Sequence, residues 1–187
     1  MNLYEQSWPE GEYRFFQLGF IVDDLFATAE QWARVFGIGP FHVLPRRETA
    51  CTYRGTETAI DAQVAVAQAG PCQIELIQQF DDRPSVYRDL ARTGPSGFHQ
   101  VCTVTRDYDA KRSHYERLGY PPISEMVADG QHVGYFDTLD DFGFYTEVVE
   151  ETAVFLGYLT KIAETCASWD GATDPVRILT RDGYRVP

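Results

Sequence analysis

The chain has 187 residues, of which 44% are hydrophobic and 14% are aromatic, and its formal net charge is −12. A sequence this rich in apolar residues forms a packed interior, so a globally disordered chain is excluded. The excess of acidic residues opposes binding to nucleic-acid phosphates and to anionic membranes, so neither is expected as a partner. The length suits one large domain or two small modules that share a core.

The four cysteines contain no CxxC pair and no tight Cys/His spacing; they are Cys51, Cys72, Cys102 and Cys166. We interpret them as buried apolar residues of a reduced protein rather than as structural zinc ligands. The N-terminal stretch MNLYEQSWPEGEYR is polar and acidic, unlike a signal peptide. No apolar run approaches the roughly 18 residues that would span a bilayer. The expected location is the cytoplasm.

The first predicted elements are a short strand and a helix. The strand lies in QLGFIVDD, which begins at Gln17, and its alternate residues are predicted to share one face. Asp24 is predicted to cap the helix, because its carboxylate can accept the free amide hydrogens of the first turn. Gly37 suits the left-handed residue that ends a helix. The predicted apolar stripe consists of Leu25, Ala29, Trp32 and Phe36.

The same pattern recurs 83 positions later, where Gln17 falls on Gln100 and Asp24 falls on Asp107. Each copy also ends with an acidic residue inside a predicted strand, Glu75 in QIELI and Glu147 in YTEVV. Between these landmarks the residues favour strands, at 41–48, 51–55, 61–70 and 71–80 in the first copy and at 123–130, 132–138 and 143–150 in the second.

The repeat predicts an α+β fold with two β-α-β-β-β modules, at residues 13–80 and 98–150. Residues 81–97 are predicted to be a linker with a short helix, and residues 151–187 a C-terminal extension that is helical at its start. One helix covers only one face of each small sheet. The open faces are therefore expected to form a curved mixed sheet or half-barrel around a central cavity.

Strand alternation predicts that four polar side chains point into this cavity: Gln17, Glu75, Gln100 and Glu147. Two amide oxygens and two carboxylates are a suitable binding set for a divalent cation that prefers oxygen. A carboxylate can also act as a base, so Glu75 and Glu147 are the candidate catalytic residues for removing a proton beside a carbonyl. Each residue taken singly is more often solvated, and it is the recurrence in both copies that favours a site.

The two openings QLGFIVDDL and QVCTVTRD, with the late-strand acids, resemble the vicinal oxygen chelate superfamily over roughly residues 13–150. That superfamily includes glyoxalase I, methylmalonyl-CoA epimerase, extradiol dioxygenases and antibiotic-resistance proteins. GIGPFHV and GFHQV are similar to its glyoxalase I- and epimerase-like branch. The resemblance implies metal ligands at the same four positions, Gln17, Glu75, Gln100 and Glu147. The branch usually has a histidine at the third, so Gln100 departs from its pattern.

This departure changes the expected metal, because imidazole binds zinc or nickel better than a neutral amide oxygen does. Magnesium, manganese and calcium become better candidates, zinc and nickel remain open, and so does a site without metal. His99 precedes Gln100, and strand alternation points it away from the cavity unless a β-bulge turns it inward. The candidate substrate-binding residues are His99, His132 and Tyr145, and His42 is a further candidate acid/base group.

These observations predict a lyase or isomerase of the glyoxalase type that acts on a small carbonyl compound or thioester through an enolate. One alternative is an enzyme that uses His99 or His132 as its base without metal. The other is a metal-free protein of the same fold that sequesters a small aromatic or hydrophobic molecule. The expected partner is a small-molecule substrate. A homodimer is one arrangement left open, since the superfamily closes its barrel within one chain or between chains.

Overall fold

The computed structural model describes residues 15–90 and 96–187. The N-terminal stretch, with the predicted start of the first module, and the linker residues 91–95 lie outside the described residues. The strands are β1 (Gln17–Val22), β2 (Phe41–Val43), β3 (Arg47–Tyr53), β4 (Thr56–Ala69), β5 (Cys72–Gln79), β6 (Ser96–Thr105), β7 (Pro122–Ala128), β8 (Gln131–Phe136), β9 (Tyr145–Glu150), β10 (Val176–Thr180) and β11 (Gly183–Arg185). The helices are α1 (Leu25–Phe36), α2 (Val86–Asp89), α3 (Tyr108–Arg117), α4 (Leu139–Phe142) and α5 (Ala153–Ala167).

Both halves of the chain use the same strand arrangement. In the first half, β1 pairs in parallel with β5, and β5 pairs antiparallel with β4. In the second half, β6 pairs in parallel with β9, and β8 pairs antiparallel with β9 and with β7. Strands β2 and β3 follow one another along the same edge of β4, so together they occupy one strand position. The predicted fold of two β-α-β-β-β modules is therefore confirmed.

The sheet closes into a barrel instead of stopping as a half-barrel. The two halves meet through two antiparallel pairs, β1 with β6 and β3 with β7. Together with the pairing of β4 and β5, these contacts join eight strands in the cyclic order β4-β3-β7-β8-β9-β6-β1-β5. Strands β10 and β11 extend the sheet outward from β2. A closed barrel leaves no free edge around the interior, towards which the four predicted site residues point.

Both predicted helix caps are confirmed. The Asp24 side chain accepts a hydrogen bond from the Ala27 amide at 3.0 Å, and Asp107 accepts one from the Ala110 amide at 2.9 Å. Gly37 ends α1 in the left-handed conformation, with φ of 65°. These local signals fix the start of α1 and α3 directly after β1 and β6, and so fix how each module begins.

The predicted apolar stripe of α1 is partly wrong. Leu25 and Ala29 are buried as predicted, and Ala33 completes the buried face. Phe36, the last residue of α1, is 62% exposed. Its ring instead contacts the half-buried Trp32 edge-on, at 5.1 Å between centroids.

Helix α2, in the predicted linker, closes part of the barrel interior. Val86 and Tyr87 are buried there in one cluster with residues of both modules. Asp89 anchors the helix, since it accepts hydrogen bonds from Tyr53 and from Arg54. Elsewhere in the described residues the four cysteines are free, and no helix combines the length and apolarity needed to cross a bilayer.

Candidate active site

The two predicted catalytic acids meet at a single glutamine. Gln100 Nε2 lies 3.0 Å from Glu75 Oε2 and 3.4 Å from Glu147 Oε2. The two carboxylate oxygens are therefore no farther apart than the sum of these distances. Gln100 is fully buried, Glu147 is 6% exposed, and Glu75 keeps some contact with solvent. The structure thus brings together three of the four residues predicted to converge.

The space for Gln100 is created by a glycine that the sequence reasoning missed. Gly19 lies opposite Gln100 across β1 and β6, and opposite Glu75 across β1 and β5. A Cβ atom at Gly19 would lie 2.3 Å from Gln100 Cδ, closer than real atoms approach. A glycine inside a strand often marks such a close approach, so the signal was present in QLGFIV.

Gln17, the fourth predicted residue, lies one step farther along β1 on the same face. It is 6% exposed, and its Nε2 is 3.4 Å from the side-chain oxygen of its neighbour Gln73. Among the described residues, the structure pairs Gln17 with Gln73 and not with either acid. It therefore borders the cluster without belonging to its hydrogen bonds.

A β-bulge turns His99 into the barrel interior, so the expectation from strict alternation is wrong here. Phe20 pairs with Phe98 and Gly19 with Gln100, which leaves His99 as an extra residue in β6. The imidazole is fully buried, and its ring centroid lies 5.2 Å from that of Tyr145.

The hydrogen bonds of His99 restrict how the Gln100 amide can be oriented. His99 Nε2 lies 2.9 Å from the Val86 carbonyl, which only accepts, so Nε2 carries a hydrogen. Burial lowers the pKa of His99, which leaves Nδ1 without a hydrogen, yet Nδ1 contacts Gln100 Oε1. Two acceptors would then face each other. Exchanging the nitrogen and oxygen of the Gln100 amide places an NH2 group beside Nδ1 and turns the amide oxygen toward Glu75 and Glu147. Three oxygens then converge, and a proton on one carboxyl or a bound cation would hold them together.

Glu147 receives a chain of tyrosine hydrogen bonds. The Tyr135 hydroxyl donates to Glu147 Oε1 at 2.9 Å. The hydroxyls of Tyr87 and Tyr135 are also 2.9 Å apart, and because the Tyr135 hydrogen is already used, Tyr87 must be the donor. Donors of this kind favour the ionised form of a buried carboxyl group.

The pKa values of Glu75 and Glu147 are both raised, but to different extents and for different reasons. Burial raises the pKa of Glu147, while hydrogen bonds from Cys102 and Tyr135 oppose the increase. Burial raises the pKa of Glu75 well above its ordinary value, and the charge of Glu147 raises it further. The pair therefore favours an ionised Glu147 beside a protonated Glu75.

The remaining two predicted binding residues lie on opposite sides of the barrel wall. Tyr145 is fully buried inside, and its hydroxyl donates to Asp89 at 3.2 Å. His132 lies outside, because it has the opposite strand parity to the inward-facing Tyr135. Its Nδ1 is 2.7 Å from Glu150, and its side chain is 48% exposed. The structure does not bring His132 to the acids.

A mostly apolar pocket of about 260 Å³ opens beside the acids' hydrogen-bond chain. Tyr87, the first donor of that chain, forms part of its wall together with Ile60, Val64 and Met126. A ligand in this pocket would contact the same phenol that is connected through Tyr135 to Glu147.

The donor set fits a hard cation better than a soft one. Glu75, Glu147 and the Gln100 amide supply oxygens only, as magnesium, manganese and calcium prefer. Within residues 15–90 and 96–187, no three His, Cys, Asp or Glu side chains are grouped so as to hold a metal ion. Any cation here would therefore depend on the glutamine.

A closed barrel of two β-α-β-β-β modules, with one acid from each, defines a recognisable class of protein. Residues 16–136 match the profile of the Glyoxalase/Bleomycin resistance protein/Dioxygenase superfamily, and the chain belongs to this family. No curated protein matches the sequence. Members of the superfamily commonly bind divalent metal ions.

Solved structures share the fold at low sequence identity. Methylmalonyl-CoA epimerase from Mycobacterium tuberculosis is 17% identical with a TM-score of 0.53, covering 76% of this chain and 91% of its own. A hypothetical protein from Bacillus halodurans is 13% identical with a TM-score of 0.53, covering 74% and 94%. Streptomyces coelicolor methylmalonyl-CoA epimerase, in complex with 2-nitronate-propionyl-CoA, is 19% identical with a TM-score of 0.50, covering 75% and 98%.

Proposed function

We propose that this protein is an isomerase or lyase of the glyoxalase type that moves a proton at the carbon beside a carbonyl group, in a small carbonyl compound or a thioester. The observation that carries the proposal is the pair of a half-buried Glu75 and a buried Glu147, whose carboxyls meet at Gln100 but have different hydrogen-bond donors. When the surroundings of two carboxyl groups give them different pKa values, one can act as an acid and the other as a base at the same pH.

The roles follow from these surroundings. Glu147, ionised, removes the proton from the α-carbon, so its pair of electrons moves onto the carbonyl oxygen and forms an enolate. Glu75, protonated, returns a proton to the same carbon from the other side, which inverts the centre in an epimerase. The Tyr87–Tyr135 chain holds Glu147 in place through the cycle. Positioned acid–base groups of this kind contribute about 10²–10⁴-fold to a rate.

A divalent cation is part of the proposal. The oxygen of the Gln100 amide would hold it together with whichever of Glu75 and Glu147 is ionised at that stage, with Gln17 as the adjacent polar residue. When bound, it supplies positive charge that stabilises an enolate oxygen. The absence of imidazole from this set leads us to expect magnesium or manganese rather than zinc.

The test is exchange of the α-hydrogen of methylmalonyl-CoA for deuterium in heavy water, followed by NMR. We expect wild type to exchange, and Glu147→Gln and Glu75→Gln each to lose about 10²-fold or more of the rate. Both substitutions keep the shape of the side chain. The matched control Glu150→Gln changes an acid on the same strand that faces His132 outside the barrel. Full turnover in both Glu75→Gln and Glu147→Gln would sink the proposed mechanism.

The second candidate is a metal-free binding protein, and the apolar pocket beside Tyr87 is the observation in its favour. It would take up a small aromatic or hydrophobic compound without changing it. Elemental analysis of purified protein and thermal-shift measurements with magnesium, manganese and calcium separate the candidates. Bound metal, or stabilisation by one of these ions that Gln100→Leu abolishes, supports the enzyme; neither effect supports the binding protein.

A further inference from the structure

A row of side chains crosses five strands on the inner face of the sheet. His42 on β2 pairs with Val66 on β4, and Val66 pairs with Glu75 on β5. Directly paired residues place their side chains on the same face. Because neighbouring strands lie about 4.8 Å apart, His42 and Glu75 are separated by roughly 10 Å, with only the short Val66 side chain between them. The row continues through Gly19 to Gln100.

Helix α5 crosses over this row. Near its start, Phe155 and Leu159 pack against the cluster that contains Cys102 on β6. Near its end, the Cys166 thiol contacts the Pro40 carbonyl, just before β2, at 3.6 Å, and accepts from the Gln68 amide on β4 at 3.2 Å. Residues 155 to 166 rise by roughly 16 Å, about three strand spacings. The middle of the helix therefore lies above β1 and β5.

Tyr158 belongs to the buried face of α5, because it lies one turn from Phe155 and one turn from the fully buried Ile162. It is thus placed over the strands that carry Gln17 and Glu75. Burial raises the pKa of Tyr158, and the charge of Glu75 raises it further. Its phenol stays protonated at neutral pH and is available as a donor.

Two buried polar atoms in this region have no hydrogen-bond partner. Across residues 15–90 and 96–187, the unpartnered buried side-chain atoms are the Tyr158 hydroxyl and His42 Nδ1. His42 is only 4% exposed; the Val66 and Pro40 backbones raise its pKa, but neither makes a hydrogen bond of good geometry with Nδ1. Buried polar groups are nearly always paired, so these two atoms near Glu75 are suited to bond a polar ligand.

We propose that α5 completes the active site and that the Tyr158 hydroxyl donates a hydrogen bond to the carbonyl oxygen of a ligand bound beside Glu75, with His42 Nδ1 as the second polar contact. The inference rests on the proposed function, and it supplies what Glu75 and Glu147 lack: a donor for the oxygen that becomes negative in the enolate. Tyr158 lies beyond residues 16–136, so the match to the superfamily profile does not include it.

The test is Tyr158→Phe, which removes only the unpartnered hydroxyl and so retains the fold. Without ligand, we expect its melting temperature to equal or exceed that of wild type, since a buried unpaired group is lost. With methylmalonyl-CoA, we expect kcat for α-hydrogen exchange to fall about 10²-fold, the usual effect of losing one oxyanion donor. The control Tyr120→Phe alters a hydroxyl that donates to Asp141 outside the barrel, and should change neither quantity.

Propionyl-CoA binding, measured by calorimetry, separates this inference from the proposed function. If wild type exchanges hydrogen and Tyr158→Phe exchanges it equally fast, the inference is overturned and the function stands. If wild type binds propionyl-CoA without catalysing any exchange, and Tyr158→Phe binds it at least 10-fold more weakly, the inference stands and the function fails. Wild type that neither binds nor exchanges contradicts both.

Discussion

The two modules use the same backbone to give two acids different surroundings. In the second module, Glu147 lies between Tyr135 on β8 and Cys102 on β6. In the first, Glu75 lies between Val66 on β4 and Gly19 on β1. Glu147 therefore has two neighbours that can donate a hydrogen bond. Glu75 has one apolar side chain beside it and one glycine, which has no side chain. Under the proposed function, the duplicated fold gives one repeated carboxyl an acid role and a base role by changing only the residues beside it.

The largest effect is expected from adding a side chain at Gly19, the glycine beside Glu75 in the first module. Gly19→Ala places a Cβ atom where Gln100 now lies, so the amide must move and the acids lose their common contact. We expect a loss of about 3 kcal/mol in the free energy of unfolding, at the upper end for overpacking. Urea denaturation measures it.

The matched control for Gly19→Ala is Gly157→Ala. Gly157 is an exposed position of α5, and the Cβ atom of an alanine there would have nothing within 4 Å, so this change should stabilise the protein by up to about 1 kcal/mol. If Gly19→Ala unfolds at the same urea concentration as wild type, the space beside Gly19 does not hold Gln100 in place.

The second expected effect is a pH dependence that separates the two acids. The ordinary pKa of a glutamate is 4.5, and Glu75 keeps its proton to higher pH in the folded chain. Between those values the unfolded chain binds fewer protons than the folded one, so rising pH lowers stability, by at most about 1.4 kcal/mol per pH unit. We expect wild type to lose stability relative to Glu75→Gln as the pH rises above 4.5.

The comparison with Glu75→Gln also removes other titrations from the measurement. His42 and His99 have lowered pKa values, which make stability rise with pH up to about 6.5. Both variants contain these histidines, so their contribution cancels in the difference. Urea denaturation between pH 4.5 and 8 gives the two curves. Parallel curves would mean that Glu75 titrates normally in the folded protein.

The smallest effect concerns a feature in which the modules are alike. Asp24→Ala and Asp107→Ala each remove one helix cap of nearly equal geometry. We expect each to cost about 1 kcal/mol, with Asp24→Asn and Asp107→Asn near zero because asparagine also caps. Thermal unfolding of the four variants checks this. A loss of stability in only one module would show that the two caps, although alike in geometry, are not equivalent in energy.

The sequence was sufficient for features that depend on neighbouring residues. The repeat at 83 positions predicted both modules, and Asp24 and Asp107 were predicted as caps because capping uses amides within the same turn. The meeting of Glu75, Gln100 and Glu147 followed from strand parity applied to that repeat.

Features that depend on distant pairing were not predictable in the same way. The bulge at His99 exists because β1 and β6 pair with one extra residue, and a single strand does not contain that information. Closure of the barrel depends on β3 meeting β7, a pairing between the two modules. The position of Tyr158 depends on α5 crossing four strands, which its own amphipathic pattern does not specify.

The glutamine over Gly19 also has a stereochemical consequence. The strand pairing relates the two halves by an approximate twofold axis, which exchanges Gln17 with Gln100 and Gly19 with Cys102. A perfectly symmetric barrel would accept a ligand in two orientations related by that axis. Here Gln100 contacts the acids, whereas Gln17 is hydrogen-bonded to Gln73. The two orientations are therefore no longer equivalent, and under the proposed function a prochiral or chiral substrate would present one particular face to Glu147.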